Sequence, residues 1–206
     1  MPDRLRIDLT DSQLRPAQPA EWRRVANITA EAFEDDPVNR WVFGKLASIR
    51  SMFRVLARDM YIRHGHCYLA GERGATMWLP PGAEASLTRG ATLKFALGQL
   101  SHRTPGSIRR GLALADKMEA WHPSEPHMYL FTIGTTQAAR GQGVGKALLR
   151  PVLEACDAAG VAVYLENSNP ENSGFYAAHG FERLGTFEIG GEGSPIMEPM
   201  WREARG

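Results

Sequence analysis

The chain has 206 residues, with 24 Lys and Arg against 23 Asp and Glu, for a formal charge of +1. That length suits one ordinary domain. Its 43% hydrophobic and 23% charged residues exclude wholesale disorder, and the balanced charge leaves no global field for nucleic acid or an anionic membrane.

Residues 1–12 are charged and broken by proline, and read as a flexible leader without the apolar core of a signal peptide. No run of eighteen apolar residues follows, so a cytoplasmic protein without a membrane span is expected. Residues 13–206 read as a single domain. A short strand is expected over Leu14–Ala17. The stretch Ala20–Phe33 places Trp22, Val25, Ile28, Thr29, Ala32 and Phe33 at helical spacing. Glu34-Asp35-Asp36-Pro37 stops that helix, because a residue before proline avoids helical dihedrals; the acids are expected at a solvated helix end. A second helix fits Val38–Arg63 in two pieces around Gly44, where Trp41 and Phe43 either line a pocket or pack the core. His66–Ala70 and Ala75–Leu79, joined through Gly71-Glu72-Arg73-Gly74, form a hairpin. Residues 83–120 read as a helical insertion broken near Thr104-Pro105-Gly106, its Arg89, Lys94, Arg103, Arg109 and Arg110 expected at the surface.

After a loop at His122–Pro126, His127–Gly134 lacks clean alternation and reads as a strand buried on both faces. Gly143–Ala159 is a helix stopped by Gly160, and Pro151 inside it predicts a kink. Val161–Leu165 is a buried strand, Asn172–His179 a short helix, and Phe181–Ile189 and Ile196–Trp201 are closing strands. This order predicts a mixed α/β domain with at least one parallel pair. Cys67 and Cys156 are the only cysteines. They form neither a disulfide scaffold nor a metal cluster, and Cys156 reads as a small buried hydrophobe on its helix.

The chemically informative segment is Arg140-Gly141-Gln142-Gly143-Val144-Gly145-Lys146, which follows a strand and opens a helix. Glycines clear side chains from a tight turn. The first N–H groups of a helix lack internal partners and, with the helix dipole, attract an anion. Arg140 and Lys146 add charge, so a pyrophosphate is the natural occupant. Lys146 is not followed by the Ser or Thr of a Walker loop, and the glycine spacing is not that of a dinucleotide fold.

Arg140-x-x-Gly143-x-Gly145, followed by Asn172-Ser173-Gly174-Phe175-Tyr176-Ala177-Ala178-His179-Gly180-Phe181, resembles the Gcn5-related N-acetyltransferases, the acetyl-CoA-dependent GNAT superfamily. Glu125 to Leu130, Tyr164 to Ser168 and Phe175-Tyr176, with Ala32-Phe33 and Asp36-Pro37, are similar to the narrower group of puromycin N-acetyltransferase-like proteins. The resemblance is continuous from about residue 122 onward and patchy before it. It implies a central mixed sheet flanked by helices, with two parallel strands splayed to admit the cofactor. Backbone groups of Ile133, Gly134 and Thr135 would pair with the pantetheine arm. Arg140, Gly141, Gln142, Gly143, Val144, Gly145 and Lys146 would hold the diphosphate. Asn172 would reach the arm, and Tyr176 would lie near the sulfur as the acid for the departing thiolate.

The reaction so implied is direct transfer of acetyl from acetyl-CoA to an amine of a small molecule, with no metal. The tetrahedral adduct needs donors aimed at its oxyanion. The attacking amine must be neutral, so some group accepts a proton; Glu125, His127 and Glu166 are the candidates. His127 reads equally as a satisfied strand histidine, Glu166 as an anchor for a neighbouring amide, and Tyr176 as a core aromatic. An enzyme acting on protein lysines or N-termini, and a non-catalytic acyl-CoA sensor, are the alternatives. A monomer or homodimer is expected, without nucleic-acid or membrane partners.

Overall fold

The computed structural model describes residues 5–9, 13–83 and 86–206. Residues 1–4 and 10–12 of the expected leader lie outside the described residues, as do 84 and 85 of the insertion. Leu5, Ile7 and Leu9 pack against the core.

Strand β1 (Arg15–Pro16) leads into helix α1 (Trp22–Ala32). A capping box precedes α1: the Gln18 amide donates to Glu21 Oε2 at 2.9 Å. The helix buries Val25, Ala26, Ile28, Thr29 and Ala30 on one side, as the spacing predicts. Asp36 caps α2 (Pro37–Phe43), accepting from the Asn39 amide at 2.8 Å with Pro37 in the first turn. Gly44 ends α2, and α3 (Leu46–Leu56) continues through a π-helical turn at Ala57–Tyr61 into α4 (Ile62–His64). The hairpin is β2 (His66–Ala70) and β3 (Gly74–Leu79).

Helices α5 (Arg89–Ser101) and α6 (Gly106–Trp121) form the insertion. A buried polar knot fastens it to α3. Ser48 and Ser107 hydroxyls both donate to Gln99 Oε1, and Gln99 Nε2 donates to the Ser48 carbonyl at 3.3 Å. Gln99, Ser48 and Ser107 are fully buried, so each polar group needs the partner it has.

Strand β4 (His127–Thr135), helix α7 (Val144–Ala159) and strand β5 (Ala162–Asn167) form a βαβ unit. α7 closes with Val161 N–H on the Cys156 carbonyl and Gly160 N–H on the Asp157 carbonyl, the Schellman arrangement. The helix continues through Pro151, which is buried. α8 (Ser173–Ala178) follows. The expected strand Phe181–Ile189 is two short pieces, β6 (Glu182–Arg183) and β7 (Phe187–Glu188), both paired with β8 (Ile196–Arg202). The Trp121 ring lies on Gly185 and stacks on Phe187 at 5.7 Å between them, which draws that stretch out of regular pairing.

The sheet order is β1-β2-β3-β4-β5-β8-β6, with β7 also on β8. β4 and β5 are parallel, and the other pairs are antiparallel. This is the mixed α/β architecture expected from the sequence. Alternate strand residues feed two cores. Cys67, Leu69, Met77 and Tyr129 join the α1–α3 side, while Tyr68, Trp78, Met128 and Leu130 join the α7 side. Arg202 at the end of β8 makes a bidentate pair with Asp157 on α7, both contacts at 2.7 Å. No helix among the described residues is long and apolar enough to cross a membrane.

Candidate functional site

The parallel pairing of β4 with β5 stops early. His127 to Leu130 pair with Ala162 to Leu165, and beyond that β4 runs on to Thr135 while β5 ends at Asn167. The strands therefore fork after Leu130 and Leu165. β3 stays paired with the far edge of β4 as far as Thr135, with a register shift at Met77/Trp78 that leaves Phe131 opposite no residue. Such a bulge re-aims backbone groups. Two buried polar atoms at the fork, Thr132 Oγ1 and Glu166 Oε1, have no hydrogen-bond partner among the described residues.

At the open end of the fork, Gly143 adopts φ +77° and starts α7. An L side chain rarely takes that conformation, which is the physical reason for a glycine there. Space around Gly141 and Gly143 is open: a Cβ added at either would meet nothing within 4 Å among the described residues. Among the described residues no carbonyl accepts from the N–H groups of Gly143, Val144, Gly145 or Lys146, whereas the Gln142 N–H is already given to Ala139 at 3.3 Å. Four outward amides at a helix start suit an anion. Arg140 donates to the Ala32 carbonyl at 3.3 Å, tying the turn to the end of α1. A cavity of about 430 Å³ opens beside the turn. Its charged lining residues are Arg73, Lys146 and Arg150. These features fit a diphosphate-bearing ligand.

A second cavity, about 510 Å³, runs from the fork under α2, α3, α5 and α6. Ile133, Asn172 and Tyr176 line one end, Glu166 and His122 another part, and Phe33, Phe53 and Phe131 the apolar walls. Its charged lining residues are Asp116, Glu119 and Glu166. Next along β4 from Ile133, Gly134 is a glycine for a steric reason: a Cβ there would lie 2.7 Å from the Ala32 Cβ.

The structure brings Tyr176 and Glu166 to this cavity, together with Ile133 and Asn172. Tyr176 is buried, and burial, aided by the Asp36 carboxylate, pushes its phenol above the ordinary value, so it holds its proton at neutral pH. Glu166 Oε2 accepts from the Tyr129 hydroxyl at 2.7 Å. Glu125 is exposed and lies outside the cavity lining; its carbonyl accepts from His127 Nδ1 at 2.6 Å. His127 is buried behind the cavity, between His122, Tyr164 and Trp201. Burial holds its imidazole below the usual histidine value. Gly134 and Thr135 lie on β4 beyond the fork, and Arg140 to Lys146 form the turn just described.

One expectation changes. Asp36 is not solvated: it is buried and accepts from Ser168 at 2.6 Å, linking α2 to the end of β5. Burial pulls its carboxyl upward against those hydrogen bonds. Phe43 lines the cavity, while Trp41 packs on Gly190. Cys156 is fully buried, its thiol pushed up to about 12 by burial, as a small hydrophobe would be.

Two groups were not legible as site residues. His122 reads as the start of a proline-rich loop, yet its ring lines the cavity and meets His127 Nε2 at 3.1 Å. Asn167 is buried and donates to Glu198 Oε2 at 2.8 Å and to Ser173 at 3.2 Å, fixing α8 and hence Tyr176 against β5. Burial would raise the Glu198 carboxyl, but hydrogen bonds from Ser173, Asn167 and Arg183 hold it below the usual range.

Comparison with known proteins agrees with this geometry. Residues 110–181 match the acetyltransferase (GNAT) family model. An uncharacterised N-acetyltransferase of Schizosaccharomyces pombe is 26% identical over 177 residues, covering 78% of this chain and 70% of the relative. The solved structure of a histone acetyltransferase HPA2 and related acetyltransferase from Corynebacterium glutamicum superposes with TM-score 0.64 at 22% identity, covering 94% of this chain and 96% of that one. Arylalkylamine N-acetyltransferase 2 from Aedes aegypti superposes with TM-score 0.60 at 11% identity, covering 93% and 98%.

Proposed function

We propose that the chain is an N-acetyltransferase of the GNAT superfamily and that its reaction is transfer of acetyl from acetyl-CoA to an amine of a small molecule. The observation that carries this reading is the largely apolar cavity continuous with the fork between β4 and β5. Its volume of about 510 Å³ lies within the range of small-molecule sites. The two structural relatives are named for a histone and for arylalkylamines, so the shared fold does not choose the acceptor. The roof built by α5 and α6 favours a small one.

In this reading the amides of Gly143 to Lys146 and the side chain of Lys146 hold the diphosphate, and Asn172 meets the arm. The unpaired edge of β4 at Ile133, Gly134 and Thr135 accepts the pantetheine as an added strand. The amine attacks the thioester carbonyl, backbone donors at the bulge steady the oxyanion, and Tyr176 gives its proton to the thiolate. A thiol is more acidic than a phenol, so this donation assists without being indispensable. The similarity to puromycin N-acetyltransferase-like proteins at Tyr164 to Ser168 and Phe175-Tyr176 raises an aminonucleoside as one acceptor to try.

The test is thiol release from acetyl-CoA over a panel of small amines and of lysine peptides. Turnover of small amines in preference to peptides is expected. Preference for peptides, or tight binding of acetyl-CoA without turnover of anything, would sink the reading.

A further inference from the structure

The acceptor cavity contains a pairing that the reaction above leaves unused. Glu166 is 2% exposed at its side chain. One of its oxygens is occupied by the Tyr129 hydroxyl, and the other, Oε1, is buried at the cavity wall with no hydrogen-bond partner among the described residues. A buried carboxylate oxygen without a donor is costly unless something in the cavity supplies one. His122 Nδ1 stands 3.9 Å from that same oxygen.

The hydrogen-bond network dictates which nitrogen of His122 is free. The Glu125 carbonyl can only accept, so His127 Nδ1 carries the hydrogen of their 2.6 Å contact. Neutral His127 then offers a lone pair at Nε2, and His122 Nε2 must be the donor across their 3.1 Å contact. That leaves His122 Nδ1 as the unprotonated nitrogen, facing Glu166. The groups that face the His122 ring are His127 and Tyr129 from β4 and Tyr164 and Glu166 from β5; on the preceding helix α6, Glu119 lines the same cavity.

Position supports chemistry. Glu166 is the first residue of β5 past the last parallel pair, at the closed end of the fork. An extended thioester lying in the fork directs its reactive end there. Beyond that point the walls are Phe33, Phe53, Phe131 and Met52, with Asp116 and Glu119 and no cationic residue among the described lining.

We infer that the acceptor is an apolar amine, cationic in water, whose ammonium docks between Glu166 Oε1 and His122 Nδ1, and that His122 Nδ1 takes its proton. The inference rests on the acetyl-transfer reading. The ammonium loses one proton to His122, and the freed lone pair forms the C–N bond. The C–S bond breaks with its electron pair on sulfur. Tyr176 gives its proton to the thiolate, and the second nitrogen proton, released as the amide forms, restores the Tyr176 hydroxyl. The products are amide, thiol and a protonated His122, which returns its proton to solvent. Glu166 Oε1 lowers the cost of the imidazolium.

The experiment compares two acceptors, 2-phenylethylamine, which is protonated at neutral pH, and 4-methylaniline, which is not. His122→Gln keeps a donor toward His127 but removes the base. Its kcat/KM at pH 7 is expected to fall about a hundredfold or more with 2-phenylethylamine, and by far less with 4-methylaniline. For the first amine the loss shrinks as pH rises and free amine becomes abundant. Glu166→Gln keeps an acceptor for Tyr129 and is expected to raise KM about tenfold for the charged amine, not for the neutral one. Unchanged calorimetric affinity for acetyl-CoA shows that each variant is folded. Equal losses on both amines, or none, would overturn the inference and leave acetyl transfer standing. A wild-type chain that binds acetyl-CoA but acetylates neither these amines nor the wider panel would overturn both.

Discussion

The two cavities are opposite in character. The one beside the α7 turn has Arg73, Lys146 and Arg150 as its charged lining, and the one beneath the insertion has Asp116, Glu119 and Glu166. The first works mainly with main-chain amides, and the second with side chains gathered from segments far apart in sequence. The chain's formal charge of +1 hides this separation completely. A near-neutral protein thus separates a cationic lining beside the α7 turn from an anionic one beneath the inserted helices. Local sign, not net charge, selects partners at this range, because screening removes longer influence.

The sharpest way to break the comparison is at the amide cradle. Gly143→Trp forces a bulky side chain into a positive φ and over the outward N–H groups. Loss of two charge-assisted hydrogen bonds is expected to weaken acetyl-CoA about a hundredfold or more by calorimetry; retained affinity would mean that the cationic lining suffices without the backbone.

Arg202→Ala tests whether the α7 side depends on its link to β8. Arg202 is 3% exposed and Asp157 accepts both of its bonds, so about 3 kcal/mol of unfolding free energy should go in denaturant titration. The Arg202 hydrogen bonds hold the Asp157 carboxyl below its ordinary 3.8. Its contribution is therefore fully present above that ordinary value and is lost as pH falls through the depressed one. The variant should show a flatter acid limb in stability against pH than the parent.

Tyr176→Phe sets the smallest effect, about tenfold in turnover with cofactor affinity unchanged. The hydroxyl is the only atom removed, and thiolate is a tolerable leaving group without it. Unchanged turnover would remove Tyr176 from the chemistry and leave it as a wall of the cavity.

Backbone chemistry leaves a local trace in sequence, and side-chain chemistry does not. The αL start of α7 demands glycine at 143, and the turn at 140–146 can be located from that need alone. The βαβ order and the hairpin followed from apolar runs bounded by glycine. The cavity beneath the insertion draws on residues between 33 and 61 and between 86 and 119, and nothing in their spacing marks them. Asp36 sits in an acidic run that looks solvated, and only the end of β5 swinging over it buries it. His122 was hidden in a loop because its role depends on His127 across the strand start and on Glu166 from another strand. Gln99 carries no mark of burial in its local sequence, and its burial depends on Ser48 fifty-one positions earlier.

The contact of Ala32 with Gly134 carries a consequence for how such a protein could change what it accepts. With no room for even a methyl group between them, the end of α1 and the edge of β4 beyond the fork are locked like two pages sewn at the spine. Tilting α1 would shift the β4 edge at Ile133 to Thr135 with it, so a change of cavity volume enters more readily through α5 and α6, which line the cavity and are not among the groups at that seam.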